Sequence, residues 1–259
     1  MRFRIAFFNT KVVCVSAVLF LTTTILGQQQ QVEPNQGGYW IAYIGDNKLN
    51  KYIGIHSEAQ LRNYFIKHTT ESLVLRTGLN VYIKPYAMGT VGYAYVYNNP
   101  SESYVNAARV SEHRTWQQLI LRQKSRAIFM EHRYRLEQRF LENLSNGTSR
   151  IDHRMRYRFQ TLLPLYSITP HLRHFFVALN DEIMINFSNN PSKLFDRNRF
   201  FVGIGFQVSP KLNFQLGYMN QFAQVIGKPT AHIDHILQFG ISYNMDDLMQ
   251  TFIKKPTNE

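Results

Sequence analysis

Cysteine is all but missing from this chain of 259 residues: Cys14 is the only one. It lies inside an apolar run near the start, so a mature chain without that run has no disulfide and no cysteine-ligated metal. Long apolar runs are equally scarce. Residues 12–26 form the one such stretch, short for a spanning helix of about twenty residues. If the remainder crosses a membrane it does so with strands, because only helices and closed barrels satisfy their own backbone groups in lipid. Missing too are a glycine-rich phosphate loop, a heptad pattern and any internal repeat; the one biased tract is the glutamine run at 28–31. The histidines lack metal-site spacing, since His171 and His174 are three apart and on a strand face opposite ways. No metal and no cofactor is expected.

Acid is the minority charge: 17 Asp and Glu stand against 29 Lys and Arg, a net charge of +12. Such an excess suits nucleic acid or an anionic surface. Three of the bases, Arg2, Arg4 and Lys11, fall in the first 27 residues, where there is no acid; setting them aside leaves 26 bases against 17 acids, net +9. That leading segment has the three zones of a secretory signal peptide: a basic start, an apolar run at 12–21, and a polar tract after Gly27. Read as an export signal, it removes the case for nucleic acid as a partner.

Beyond the polar stretch at 28–38 the sequence takes up a period of two. Within 128–141, Glu131, Arg133, Arg135, Glu137 and Arg139 share one face, while His132, Tyr134, Leu136, Gln138 and Phe140 share the other. Asp152, Arg154, Arg156 and Arg158 repeat the device opposite Met155, Tyr157 and Phe159. Phe200, Val202, Ile204, Phe206 and Val208 alternate with Gly203 and Gly205; Leu212, Phe214, Leu216 and Tyr218 come next, then Leu237, Phe239, Ile241 and Tyr243. A helix would scatter each set around its circumference. The joins alternate in length: tight at 46–50, 84–86, 123–126 and 209–211, longer and polar at 63–70, 98–110, 142–150, 188–196 and 223–232. The join at 162–172, with Pro164 and Pro170, is long where a tight one is due.

Alternation of this kind with short turns on one side and long loops on the other is the habit of outer-membrane barrels. The fold class expected is all-β, a transmembrane antiparallel up-and-down barrel of about 10–12 strands. Eleven candidate strands are countable, and an odd number suits a single bacterial barrel poorly. Either 39–45 is not a full strand, giving ten, or one is missed, giving twelve. Tyr93, Tyr95, Tyr97, Phe140, Phe187, Tyr218 and Tyr243 supply aromatic girdles. The register is set by energetics: an Arg or Lys facing lipid at the midplane costs about 2–4 kcal/mol, so the charged rows face the lumen. Asp181 breaks the rule, because the register that turns Glu182 inward turns Asp181 outward; a bulge or an interfacial position is expected there. The chain thus divides into a signal peptide (1–27), a polar linker (28–38), a barrel (39–244) and a polar tail (245–259).

Laid out this way, the sequence resembles the bacterial outer-membrane barrel family catalogued as domain of unknown function 2490. The carriers are Arg114-Thr-Trp116-Gln-Gln118, Arg133-Tyr-Arg-Leu-Glu-Gln-Arg-Phe140 and Arg154-Met-Arg-Tyr-Arg158, then Asn180-Asp-Glu-Ile183, Asn198-Arg199 before an apolar and glycine strand, and Leu216-Gly-Tyr218. It departs at its end, where members usually finish on an aromatic residue and this chain continues over 244–259. The resemblance implies a Gram-negative outer membrane and a barrel, and supplies no activity and no catalytic residues.

The candidate site is the set of charges that the register converges on the lumen: Glu58, Arg62, Arg76, Glu112, Arg114, Arg122, Glu131, Arg133, Arg135, Glu137, Arg139, Arg154, Arg156, Arg158, Glu182, Arg197 and Arg199. Cross-strand pairing that fills a narrow lumen is the favoured role, since small barrels leave little free space. A passage for a small anionic or polar solute past an arginine-rich wall is the alternative. A loop-end hydrolase is the second alternative, with Asp152–His153, Asp234–His235, Ser145 and Ser149 as the only candidates; neighbours on a strand point to opposite faces, which does not favour it. Expected partners are outer-membrane lipid and surface glycolipid, whose phosphates suit loop-end bases such as Arg109 and Arg150. Export predicts cleavage near Gly27. Mass spectrometry of the membrane fraction is expected to find a mature N-terminus close to Gln28, and an intact Met1 would contradict it.

Overall fold

The computed structural model describes residues 31–33, 37–65, 70–99, 108–125, 127–187, 194–224 and 230–244. The expected signal peptide and C-terminal tail, like most of the linker, lie outside the described residues.

The chain is all-β. A three-residue strand, β1 (Gln31–Glu33), precedes eleven long ones: β2 (Gly38–Lys48), β3 (Ile53–Tyr64), β4 (Thr70–Lys84), β5 (Ala87–Asn98), β6 (Val110–Ser125), β7 (Ile128–Asn143), β8 (Ser149–Pro164), β9 (Phe175–Asn186), β10 (Phe195–Gln207), β11 (Leu212–Gln224) and β12 (Thr230–Tyr243). Each long strand pairs antiparallel with the next, and β12 returns to β2 to close a barrel of eleven strands. The closing pair is parallel, from Ile236 opposite Gly38 to Ser242 opposite Ile44. β1 also lies parallel to β12, at Thr230 to His232, so β1 and β2 run along one edge of it in succession.

Eleven strands fall inside the expected range of about 10–12, but the step from eleven to an even number is corrected. Residues 39–45 lie within a full strand, and no twelfth long strand joins the closed ring among the described residues. An odd number demands that the first and last strands run the same way. The closure meets that demand with slanted parallel hydrogen bonds, slightly weaker per residue than antiparallel ones. It also places the start of β2 and the end of β12 at opposite rims.

Local chemistry explains the hairpins. Lys84 and Ala87 flank a two-residue turn, Pro85-Tyr86, in which proline presets the backbone angle a turn requires. The Asn50 side chain accepts from the backbone N–H groups of Tyr52 (2.8 Å) and Ile53 (3.0 Å), and Ser209 Oγ accepts from Leu212 N–H (3.1 Å). On the other rim the β7–β8 turn uses Asn143 and Asn146 as acceptors for Ser145 and Thr148, with Gly147 in the left-handed region at φ 70°. The long join at 162–172 holds two short 3₁₀ turns, Leu165–Ser167 and Pro170–Leu172, on the short-turn rim.

Burial alternates along the strands with the polarity of an ordinary sheet protein reversed. Leu136, Ile204 and Leu216 are exposed on the outer wall, while Glu112, Arg135 and Glu137 are at most 1% exposed inside. Side chains occupy much of the lumen. Trp40, Phe176, Ala178, Phe201, Met219 and Ile236 form an apolar cluster on the β9–β12 and β2 side, and charged rows occupy the rest. Glycines opposite the large rings make this fit: a Cβ at Gly92 would sit 2.5 Å from the Trp116 indole, and one at Gly205 would enter the Phe176 ring. By contrast, a Cβ at Gly240 meets nothing nearer than 3.7 Å. Gly205→Ala is therefore expected to cost about 1–3 kcal/mol through overpacking, while Gly240→Ala changes stability little. Denaturant unfolding of the refolded barrel checks the order of the two.

Candidate luminal site

Three carboxylates organise the charged side of the lumen. Glu137, on β7, accepts from Arg154 Nε (2.9 Å) and Arg156 Nη1 (2.9 Å), with Arg114 Nη1 at 3.7 Å. Glu182, on β9, accepts from Arg156 through both nitrogens of its fork (2.8–3.1 Å) and from Arg133. Glu112, on β6, accepts from Arg114 (2.6 and 2.8 Å) and from Arg139 (3.1 Å). Arg156 thus bridges two carboxylates, and so does Arg154, whose other end reaches Asp196 at 3.0 Å. The bonds to Asp196 and from Arg133 to Glu182 skip a strand, tying next-nearest neighbours across the curved interior.

This sharing explains why arginines stand directly opposite arginines. Arg114 faces Arg139, Arg133 faces Arg158, and Arg135 faces Arg156 in the ladders. Like charges in that position repel, so each pair needs carboxylate between or beside it. Glu112 serves the first pair. Glu131 serves Arg158 (2.7 Å) and also Arg122 (3.0 Å). Farther round, Glu58 is held by Arg76, and Asp46 accepts from His56 Nδ1 (2.7 Å) and Asn80 (2.8 Å).

Among the described luminal residues, Arg62, Arg199 and Arg135 have no carboxylate within hydrogen-bonding distance, and aromatic rings stand beside them. Trp40 carries Arg62 and Arg199 at 4.1 and 4.9 Å from its ring, and Arg199 also donates to Gln221 (2.7 Å). Arg135 lies 4.6 Å from the Trp116 ring and donates twice to Gln118 (2.6 and 3.0 Å), its nearest carboxylate oxygen being 3.9 Å away. Below Arg135, in the short-turn half of the lumen, is a cavity of about 210 Å³.

With that geometry in place, comparison by family profile matches residues 37–232 to the family described as protein of unknown function (DUF2490). The chain belongs to the DUF2490 family. The match runs from the residue before β2 into the first residues of β12, so the shared region is the barrel itself. A comparison with curated proteins gives no match.

In this DUF2490 barrel every luminal charge named from the sequence lies on the inner wall. The closest associations join Glu112, Arg114, Glu137, Arg139, Arg154, Arg156, Arg133 and Glu182. Glu58 with Arg76 and Glu131 with Arg122 and Arg158 form two further groups, while Arg62, Arg135 and Arg199 associate with rings and carboxamides and Arg197 with Asp196 (3.2 Å). Sequence reasoning missed Asp196, because a bulge between Phe195 and Arg197 breaks the period there. It missed Asp46, His56 and Asn80, whose polar character looks like turn chemistry or an ordinary strand. Trp116 and Gln118 had a usable signal, since they share the Arg114 face.

Asp181 faces outward as expected; of the two rescues expected the bulge is absent, since the ladder is unbroken at that point, and Asn198 Nδ2 donates to its carboxylate at 2.9 Å. The hydrolase candidates do not converge. His153 is exposed outside while Asp152 is bound to Arg150 (3.2 Å); His235 bonds the Tyr218 hydroxyl outside while Asp234 accepts from Gln221 (2.7 Å) within.

Removing a shared acceptor is the sharpest test of this network. Glu137→Gln leaves Arg154 and Arg156 short of charge in a buried lumen, and is expected to destabilise the barrel by about 3–5 kcal/mol. Glu142→Gln, on an exposed position of the same strand, is expected to stay within about 0.5 kcal/mol. Equilibrium unfolding of both variants measures the difference.

Proposed function

We propose that this protein is an outer-membrane barrel sealed by its own side chains, a membrane-embedded structural or binding scaffold rather than an open pore. The observation that carries the reading is the inverted wall. Leu136, Ile204 and Leu216 are 50%, 58% and 54% exposed, and Ile41, Leu75, Val91, Phe200 and Phe239 join them around the circumference. A soluble barrel with a continuous surface of this kind would aggregate; in hydrocarbon the same surface is the favourable one. Strands of 11 to 16 residues meet or exceed the roughly 9–11 needed to cross a bilayer at a tilt.

The polar groups on the outer wall support the reading by being matched to one another. Gln117 and Gln138 exchange hydrogen bonds at 3.1 Å, Thr115 donates to Gln138 at 2.9 Å, and Tyr93 bonds His113. Asp181 has Asn198. The export segment expected at 1–27 fits the same destination.

Sealing is a property of the interior. Arg135 on Trp116, with His56 edge-on to that indole at 5.4 Å, brings β7, β6 and β3 together; Arg199 on Trp40 brings β10 to β2. Rings and guanidiniums from non-adjacent strands thus meet across an interior that a porin leaves to water. Planar-bilayer recording of the purified protein tests this: conductance is expected to be low and anion-preferring, because arginine outnumbers acid along the β7–β8 wall, and to rise in the Arg135→Ala, Arg156→Ala double variant. A large, cation-selective conductance from the unmodified chain would contradict both the seal and its sign.

A further inference from the structure

The cavity in the short-turn half of the lumen has two unlike walls. On one side Arg122, Arg133, Arg135 and Arg158 line it, four guanidiniums against the carboxylates of Asp46, Glu58 and Glu131; on the other stand carboxamides from successive strands, among them Gln160, Asn180, Asn213, Gln215 and Gln238. Phe176 and Phe201 of the apolar cluster supply part of the surface between. Several buried polar atoms on these walls have no hydrogen-bond partner among the described residues: the donors Arg133 Nε, Arg135 Nη1 and Arg158 Nε, and the acceptors Asn213 Oδ1 and Gln238 Oε1.

Arg135 is the telling group. It is 1% exposed, stands opposite Arg156 in the ladder, and has only the neutral Gln118 as hydrogen-bond acceptor. Its Nη1 makes no hydrogen bond and stands 3.9 Å from the Glu137 carboxylate, an ion pair too long to satisfy a buried guanidinium in full. Unused donors cluster on the cationic wall and unused acceptors on the amide wall. The complementary occupant therefore has an anionic group at one end and hydroxyl donors at the other. The size is also set: about 210 Å³ corresponds to about seven waters at about 30 Å³ each, and lies below the pockets of about 300 Å³ upward that take drug-sized ligands.

We propose that this cavity is a binding site for a small polyhydroxylated anion, of the size of a single sugar acid or sugar phosphate. Its charged group sits against Arg133, Arg135 and Arg158, and its hydroxyls bond Asn213 and Gln238. The proposal rests on the sealed-barrel reading, under which the site is a blind pocket reached from the short-turn rim rather than a station in a pore.

Isothermal titration calorimetry of the refolded full barrel in detergent tests it, independently of any conductance, so a leaky barrel and an empty pocket give separate results. The probes are sodium gluconate, glucose 6-phosphate, neutral glucose and inorganic phosphate. Saturable binding is expected for gluconate or glucose 6-phosphate, and which of them binds more tightly assigns the anion as carboxylate or phosphate. Glucose and inorganic phosphate are expected to bind more weakly by roughly tenfold or more, the scale of one lost charge-assisted hydrogen bond. Arg135→Gln is expected to abolish binding. Gln238→Leu, which touches no ion pair and should fold as the unmodified chain does, is expected to weaken the organic anion by roughly tenfold and leave inorganic phosphate unchanged. No heat from either organic anion, equal affinity for inorganic phosphate, or undiminished binding by Gln238→Leu would each overturn the assignment.

Discussion

The sharing of carboxylates between opposed guanidiniums is the interaction on which the rest of this barrel depends. Rows of arginine on adjacent strands repel when they face each other, and Arg114–Arg139, Arg133–Arg158 and Arg135–Arg156 all do so. They are tolerable only because Glu112, Glu137, Glu182 and Glu131 reach between them from the same or neighbouring strands. A slip of one residue in any of these ladders would turn the row outward, separating each arginine from its acceptor. The network therefore fixes register as well as filling space. It is a device of specificity whose net contribution to stability is smaller than the cost of breaking it.

The wall and the interior are consequences of one another. Because the charged rows turn inward, the alternate residues turn outward, and these are chiefly leucines, isoleucines, phenylalanines and tyrosines, with a few polar groups bonded to one another. The interior then divides into a charged side, centred on β6–β8, and an apolar side, centred on Trp40, Phe176 and Phe201. Trp40 and Trp116 stand where the two meet, offering ring faces to Arg62, Arg199 and Arg135. Glycines at 92, 203, 205 and 217 make room for the large rings. The cavity remains where the arginine rows and the carboxamide rows face one another, with Phe176 and Phe201 on part of its surface.

Much of this was legible from the period of two. The faces of 128–141 and of Arg154–Arg158 can be read from residue type alone, because charge in a repeating alternate position admits only one side of a barrel wall. What the period could not express lies where the backbone departs from it. Asp196 is inward only because a bulge adds a residue before Arg197, and a bulge has no signature in a row of charged and polar residues. Strand parity was misjudged for a related reason: counting gave eleven, but nothing in the residues says whether the closing pair is parallel or antiparallel. Asp181 shows the converse. Its outward direction is readable, whereas its partner, Asn198, comes from the next strand and depends on the register between β9 and β10.

The central claim is that the wall exposing Leu136, Ile204 and Leu216 faces hydrocarbon. Because the segment beyond Cys14 contains no cysteine, single labels can be placed without background. Spin labels at Leu136→Cys, Ile204→Cys and Leu216→Cys, with Leu49→Cys and Ser145→Cys at the two rims, can be compared after insertion into vesicles for collision with oxygen and with a polar nickel complex. The account predicts high oxygen and low nickel accessibility at the three wall positions and the reverse at the rims. Free access of the nickel complex to the labels at 136 and 204 would contradict it.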